Sequence, residues 1–127
     1  MKTILVDAIN GLILEDGTIF DDMHKLLEAY LNPKLVLTGA DDEQWKQFYL
    51  DKSPYEVFTL KHNPEKTDPE YFEILLNKIG LQPNKVIYFE HNIGAAKTAQ
   101  SLGIKTYFYD HTKQDLDALK VFLDSSL

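Results

Sequence analysis

The sequence predicts an α/β fold, a three-layer sandwich in which about five parallel strands are covered by helices on both faces. Short apolar runs alternate along the chain with longer segments whose apolar residues recur at helical spacing. The short runs do not alternate apolar with polar residues, which is typical of strands that are buried on both faces. No repeat, low-complexity segment or linker interrupts the 127 residues, so we expect one domain over 1–127.

Five apolar runs are predicted as strands. They cover residues 3–6, 34–38, 56–60, 86–90 and 104–109. After the first run, the segment LILEDGTIF carries Asp16-Gly17 between two apolar stretches. An Asp-Gly pair in this setting is a strong hairpin signal, because both residues tolerate the backbone conformation of a tight two-residue turn. We therefore expect a β-hairpin flap between Gly11 and Phe20.

The segments between the strands are predicted as helices. Asp21-Asp22, Asp41-Asp42 and Asp68-Pro69 supply start signals, since an acidic residue can cap the first N–H groups and proline suits the first turn. The predicted helices begin near 21, run from 41 to about 50, and cover 68–80, 95–102 and 114–123. Because strands alternate with helices, the sheet should be parallel and covered on both faces.

Composition excludes several classes of function. The formal charge of −7 argues against a nucleic-acid partner or an anionic membrane surface, because both require a clustered positive face. No apolar run approaches the roughly 18 residues of a membrane span. The absence of cysteine excludes disulfides and thiolate metal sites. The opening residues lack the pattern of a secretory signal, and we expect a cytoplasmic protein.

Polar side chains follow the predicted strands at their carboxyl ends. Asp7, Thr38 and the pair Glu90-His91 end or directly follow strands, and Lys66 precedes the helix after the third strand. Ligands of parallel sheets bind beyond the carboxyl ends of the strands, so we expect these groups to share one rim. A hydroxyl and an ammonium can hold phosphoryl oxygens, and paired acids can hold a divalent cation. The sequence therefore predicts a phosphate site.

Four motifs in the same order resemble those of the haloacid dehalogenase-like (HAD) superfamily. VDAINGLILEDG is similar to the opening strand and D-x-D-G-T-L, and Thr38 in KLVLTGA to the second motif. Lys66 in EKTDPEYFEILL is similar to the third motif, and VIYFEHNIGAAKTAQSLGI to the last. The resemblance implies a magnesium-dependent phosphohydrolase fold without a cap domain, since no segment between the motifs is long enough for one.

The resemblance also implies roles for individual residues. Asp7 matches the nucleophile, and Thr38, Gly39 and Lys66 match the groups that hold the phosphate. A metal would be held by Asp7, the Ile9 carbonyl, Glu90 and His91. Capless members tend to act on macromolecules or to rely on a partner for closure, so the implied partners are a phosphorylated small molecule or protein, and a protein partner or a second copy.

Two departures from the motifs weaken the implied chemistry. Ile9 stands where the second acid donates a proton to the leaving group, a contribution worth about 10²–10⁴-fold. His91 stands where a metal-binding Asp is usual, and imidazole suits zinc, manganese or iron better than magnesium. We therefore expect weak Mg²⁺ binding, another divalent cation, or none. Asn10 and Gly11 replace the Gly and Thr of the first motif and are expected to unsettle that loop.

Three functional hypotheses follow. The first is a phosphatase with an impaired or altered aspartate site; the alternative is a pseudoenzyme that senses phosphate or binds protein. A response-regulator receiver ranks third, because no Asp follows the third strand and the first strand offers only one acid.

Structural roles compete with each assignment. Asp7 can cap a turn, Lys66 can be solvated or pair with Glu90, and His91 is more typical of a hydrogen-bonded loop histidine than of a ligand. Three other histidines are expected at the surface, namely His24, His62 and His111. Five aromatic residues are expected in the core or along the third strand, or, if exposed together, in a protein-binding patch: Trp45, Phe48, Tyr49, Tyr55 and Phe58.

Overall fold

Five parallel strands form one sheet in the computed structural model, which describes residues 1–127. The strands are β1 (Thr3–Asp7), β2 (Lys34–Thr38), β3 (Val57–Thr59), β4 (Val86–Glu90) and β5 (Lys105–Phe108). Their order across the sheet is β3-β2-β1-β4-β5. The central position of β1 explains why its sequence is apolar on both faces, and the predicted α/β class is confirmed.

Five α-helices cover the sheet. They are α1 (Asp21–Glu28), α2 (Asp42–Gln47), α3 (Pro69–Ile79), α4 (Ile93–Ser101) and α5 (Leu116–Ser126), and two short 3₁₀ turns lie at Leu50–Lys52 and Pro83–Lys85. None of the helices is long and apolar enough to cross a membrane.

The predicted start signals act in different ways. Asp41 forms a capping box with Gln44, and Asp68 accepts a hydrogen bond from the Glu70 N–H with Pro69 in the first turn, as predicted. The prediction for Asp21 and Asp22 was wrong in one respect. The N-cap is Phe20. The two acids lie inside the first turn, where their negative charges interact favourably with the positive end of the helix dipole.

The two faces of the sheet carry separate apolar clusters. On one face Ile4, Val6 and Phe89 pack with residues of α1 and α5, such as Leu27 and Leu123. The other face carries Leu5, Leu37 and Tyr88, which pack with residues of α3 and α4 such as Phe72 and Ala99. Successive residues of one strand point to opposite faces, so β1 contributes to both clusters.

Of the expected core aromatics, Phe58 is buried and Trp45, Phe48 and Tyr55 pack partly buried against the first cluster. Tyr49 is exposed and does not belong to this group.

The hairpin after β1 was only partly predicted. The Asp16-Gly17 turn is present, closed by a hydrogen bond from the Leu14 N–H to the Thr18 carbonyl of 2.8 Å, but only an isolated bridge joins Ile13 to Ile19. Regular strands are absent because the N–H groups of Leu12 and Ile13 donate to carbonyls at the end of β1 and just after it, and not to a facing strand. The Leu12 N–H donates to the Asp7 carbonyl at 3.0 Å, and the Ile13 N–H donates to the Ala8 carbonyl.

The strand order fixes where a ligand can bind. The chain leaves β1 towards β2 on one side and returns to β4 on the other, so the sheet has its switch point at the carboxyl ends of β1 and β4. A receiver has the order 2-1-3-4-5, which differs from the order found here. The topology therefore excludes the receiver hypothesis. The connections from β1 to β2 and from β2 to β3 hold no inserted domain.

Candidate functional site

A pocket of about 390 Å³ opens at the carboxyl ends of the strands. It is lined by every residue that the motifs singled out: Asp7, Ile9, Thr38, Gly39, Lys66, Glu90 and His91. Asp7 is the last residue of β1, Thr38 of β2 and Glu90 of β4, and all three are buried. The parallel register of the strands thus brings together groups that lie far apart in sequence.

Lys66 joins the two buried acids. Its ammonium lies 3.0 Å from Asp7 Oδ1 and 2.6 Å from Glu90 Oε1, and it also donates to the Leu37 carbonyl at 3.3 Å. Burial alone would lower the pKa of Lys66, but the charges of Asp7 and Glu90 outweigh burial and raise that pKa above its ordinary value of 10.5. Lys66 is therefore a fixed cation whose donors are already used.

His91 lies between the same two acids on their other side. Its backbone N–H donates to Asp7 Oδ2 at 2.9 Å, its ring Nδ1 also contacts Asp7 Oδ2, and Nδ1 lies 3.2 Å from Glu90 Oε2. A ring nitrogen that contacts two carboxylates must carry a proton. Burial lowers the pKa of His91, but the hydrogen bonds and charges of Asp7 and Glu90 prevail and raise it to about 9.

Glu90 has two further donors. The Tyr88 hydroxyl donates to Oε1, and the Asn92 N–H donates to Oε2 at 3.0 Å. Burial would raise the pKa of Glu90, but Lys66 and the hydrogen bonds hold it below its ordinary value of 4.5. For Asp7, burial and the Glu90 charge exceed the effects of Lys66 and His91 and raise the pKa above 3.8. The two acids therefore share two cations in a closed network.

Three residues that line the pocket, after β1 and at the end of β2, carry donors without partners inside the protein. The N–H groups of Ile9 and Gly39 make no hydrogen bond, and the Thr38 hydroxyl accepts one from the Ala40 N–H at 3.1 Å while its own hydrogen has no acceptor. Gly39 faces His62, since a Cβ added at this position would lie 3.2 Å from His62 Nδ1. These donors can receive an oxoanion.

The loop after β1 suits the residues that replace the motif. Asn10 has φ +68°, a left-handed conformation that Asn tolerates better than most residues. A Cβ added at Gly11 would lie 2.9 Å from the Asp7 Cβ and even closer to the Asp7 carbonyl oxygen, so only glycine fits here. The expectation that Asn10 and Gly11 unsettle this loop was wrong, because the loop closes tightly around both.

Sequence reasoning missed several residues of the site. His62 is at the surface, as expected, but it also lines the pocket, 3.0 Å from the Glu65 carboxylate and in contact with the Gln44 amide oxygen. No local pattern indicates this contact, which joins α2 to the loop after β3. Tyr88 was also missed, although a signal existed: residues two apart on a strand share a face, so Tyr88 and Glu90 must be neighbours.

His111 makes an edge-to-face contact with His91, with ring centres 5.1 Å apart. This contact too was not predicted.

The residues in this arrangement do not fit a Mg²⁺ ion. Ligand atoms of Asp7, Glu90 and His91 do lie within 4.8 Å of one another, a spacing that suits a metal. Yet each carboxylate oxygen already accepts a hydrogen bond from Lys66, His91, Tyr88 or the Asn92 N–H. Protonated Nδ1 has no lone pair to offer, and Mg²⁺ requires oxygen ligands in a strict octahedral arrangement.

Neither a protein-family model nor a curated protein matches the sequence. Several solved structures are similar to this chain. A HAD-family enzyme of Bacteroides thetaiotaomicron, an aspartate-to-alanine mutant in complex with magnesium and inorganic phosphate, is similar with a TM-score of 0.72 and 16% identity, over 94% of this chain and 98% of that chain. Its wild type, also in complex with magnesium and inorganic phosphate, is similar with a TM-score of 0.60 and 25% identity over 78% of this chain.

The chain spans about half of that wild-type chain, 54% of its length. A conserved haloacid dehalogenase-like protein of unknown function from Agrobacterium tumefaciens gives a TM-score of 0.54 at 17% identity, over 84% of this chain and 61% of that one. These likenesses concern the fold, and they agree with the α/β architecture found here. This chain therefore has the fold of the haloacid dehalogenase-like superfamily, without an inserted cap domain.

Proposed function

We propose that this HAD-fold protein is a non-hydrolytic binding module, in which the aspartate site is silent and the pocket binds a phosphorylated ligand. One observation carries the proposal. The carboxylate oxygens of Asp7 and Glu90 are engaged by N–H and O–H donors of the protein itself, chiefly Lys66 and His91. Glu90 therefore has no unshared lone pair for a hard cation, and Asp7 keeps one, on Oδ1.

Loss of turnover follows from the same residues. A nucleophilic Asp7 needs an unshared lone pair aimed at phosphorus. Oδ2 accepts twice from His91 and has none left, and Oδ1 keeps one beside the bond that it accepts from Lys66. Ile9 lines the pocket with a hydrocarbon side chain, so no acid at this position can protonate a leaving group. General acid help of this kind is worth about 10²–10⁴-fold, and its loss alone would leave a very slow enzyme.

Binding is supported by other residues that line the pocket. The Ile9 and Gly39 N–H groups and the Thr38 hydroxyl have hydrogens without acceptors in the protein. Backbone N–H groups without an acceptor at the lining of a pocket can donate to an anion there. The Bacteroides thetaiotaomicron enzyme of the same fold was solved with inorganic phosphate, which is consistent with a phosphate group at this rim.

A slow metal-dependent phosphatase is the second candidate. The spacing of the ligand atoms of Asp7, Glu90 and His91, all within 4.8 Å, favours it, because only hydrogen bonds would have to be exchanged for a metal. Imidazole at this position would then favour manganese, zinc or iron over magnesium.

Turnover of p-nitrophenyl phosphate separates the two candidates. We expect the wild type to match Asp7→Asn in Mg²⁺, Mn²⁺ or Zn²⁺, whereas the double variant Ile9→Asp/His91→Asp gains about 10²-fold or more in Mg²⁺. Metal-dependent turnover by the wild type that is lost in Asp7→Asn would establish the phosphatase and overturn the proposal.

Calorimetry with inorganic phosphate tests the binding half of the proposal. Thr38→Val should weaken binding about tenfold or more, since a hydrogen bond to a charged group contributes about 1.5–3 kcal/mol. Thr106→Val is the matched control, because Thr106 lies on β5, does not line the pocket, and its hydroxyl donates to the Ile104 carbonyl. Absence of phosphate binding by the wild type would reject the binding module.

A further inference from the structure

We infer that His62 is a positioning residue of the pocket, and that the pocket binds an anion most tightly while both ring nitrogens of His62 carry a proton. This inference rests on the proposed function and goes beyond it by naming a residue outside the four motifs that regulates binding. Its basis is the set of hydrogen bonds made by the His62 ring and the balance of charges around the pocket.

Both ring nitrogens of His62 contact oxygen atoms that accept hydrogen bonds. Nδ1 lies 3.0 Å from the Glu65 carboxylate, and Nε2 contacts the side-chain oxygen of Gln44. The orientation of the Gln44 amide is fixed, because the same oxygen also accepts the Asp41 N–H at 3.1 Å in the capping box of α2. Each ring nitrogen must therefore donate, so His62 is a doubly protonated imidazolium in this structure.

These two hydrogen bonds join α2 to the loop after β3. Gln44 on α2 and Phe48 at its C-cap both line the pocket, so the position of α2 shapes this part of the pocket. No residue of α2 is fully buried, and His62 has a left-handed φ of +63°, a conformation that costs free energy unless contacts hold it. A neutral ring has a single N–H and can keep only one of the two hydrogen bonds. Loss of the proton therefore releases either Gln44 or Glu65.

The charges of the pocket lining balance only while His62 is protonated. Three acids and three bases line the pocket: Asp7, Glu65, Glu90, His62, Lys66 and His91. The two buried acids are paired within their own network, whereas the one ion-pair partner of Glu65 is His62. A neutral His62 leaves the charge of Glu65 unpaired at the pocket, where it repels an anion.

His62 also lies near a donor that can hold an anion. A Cβ added at Gly39 would lie 3.2 Å from His62 Nδ1, and the Gly39 N–H has no acceptor in the protein. An anion bound to this N–H is therefore close to the imidazolium. Lys61 precedes His62 and Asp42 begins α2, but these two pair with each other at 3.0 Å and do not line the pocket. His62 and Glu65 therefore set the charge on this part of the pocket.

Calorimetric titrations with inorganic phosphate between pH 5 and 9 test the inference in the wild type, His62→Gln and His62→Lys. The ionisation of phosphate itself is common to all three proteins and cancels in their affinity ratios. We expect the wild type to bind at least about threefold more tightly than His62→Gln at pH 5, the effect of one unit charge about 6 Å away in water, and equally at pH 9. His62→Lys keeps its charge and should exceed His62→Gln by the same factor throughout.

His24→Gln is the matched control. His24 lies 3.8 Å from Glu28, and its side chain is 33% exposed against 37% for His62, but it does not line the pocket. Its affinity ratio to the wild type should stay near one at every pH. A ratio of wild type to His62→Gln that does not change with pH would overturn the inference, while phosphate binding itself upholds the proposed function. Failure of every protein to bind phosphate would reject both.

Nitrogen-15 spectra of the wild-type His62 ring remain decisive even if His62→Gln fails to fold. Because an anion favours the protonated ring, we expect bound phosphate, by linkage, to move the loss of the ring proton to higher pH. His24 should show no such movement. A His62 titration that saturating phosphate leaves in place would overturn the inference.

Discussion

Lys66 is the residue on which the site depends most. Its ammonium touches two buried carboxylates, and its side chain is only 15% exposed. An ion pair with this degree of burial contributes little net free energy while complete, since desolvation offsets attraction, but removing one partner leaves the other charges buried without compensation. The stability of the fold is therefore tied to the residues of the candidate site.

Lys66→Met should lower the free energy of unfolding by about 3–5 kcal/mol, because Asp7 and Glu90 would be left facing each other. Lys120→Met is the control, since Lys120 pairs with Asp124 on the surface of α5 at 2.6 Å with 55% of its side chain exposed. Surface pairs of this kind contribute about 0.2–1 kcal/mol. Urea unfolding measures both. Equal losses in the two variants would show that the buried network is not a stabilising unit.

His91 should make stability depend on pH above neutrality. Folding raises the pKa of His91 from 6.5 to about 9, so the folded state binds this proton more tightly than the unfolded state. The stabilisation is therefore complete below the unfolded pKa and is lost as the pH rises through the folded pKa. The groups facing the ring are Asp7, Glu90 and His111, and Lys66 keeps its charge across this window.

Urea midpoints between pH 6 and 10 check this expectation. The wild type should lose stability across this range more steeply than His91→Asn, which lacks the imidazole. Parallel pH profiles of the two proteins would mean that the proton on His91 contributes nothing to folding.

At the scale of single elements, the loop after β1 has the tightest steric requirement in the site. Gly11→Ala should cost about 1–3 kcal/mol, because the new Cβ would clash with the Asp7 backbone and displace the carboxylate from Lys66. Gly94→Ala is the control. Its new Cβ would meet the Asn92 side chain at 3.2 Å, which can move, and alanine favours the helix. A Gly11→Ala protein as stable as Gly94→Ala would show that the loop adapts.

Elements that depend on local pattern were predictable, and those that depend on distant partners were not. The strands and helices follow from periodicity and from caps such as Asp41 and Asp68, which act within one turn. The predicted hairpin strands do not form because the Leu12 N–H donates to the Asp7 carbonyl. Intrinsic strand propensity does not predict this contact. The contact of His62 with Gln44 was missed for the same reason, since it joins α2 to a loop that only the fold brings near it.

At the scale of the whole molecule, the strand order assembles the site without any contribution from a cap. β1 and β4 are neighbours, so their terminal acids meet at the switch point, and the loop before α3 brings in Lys66 from a third side. In this protein the two buried carboxylates are balanced by cations of the chain itself, because Lys66 and His91 each contact both Asp7 and Glu90.

Thermal unfolding of the wild type with increasing Mg²⁺ in the presence of beryllofluoride, a mimic of an aspartyl-phosphate, tests this claim most directly. Because the carboxylate oxygens already accept hydrogen bonds from the protein, we expect the Tm to stay constant, whereas Ile9→Asp/His91→Asp should show a saturable rise. A saturable rise of the wild-type Tm that disappears in Asp7→Asn would contradict the account.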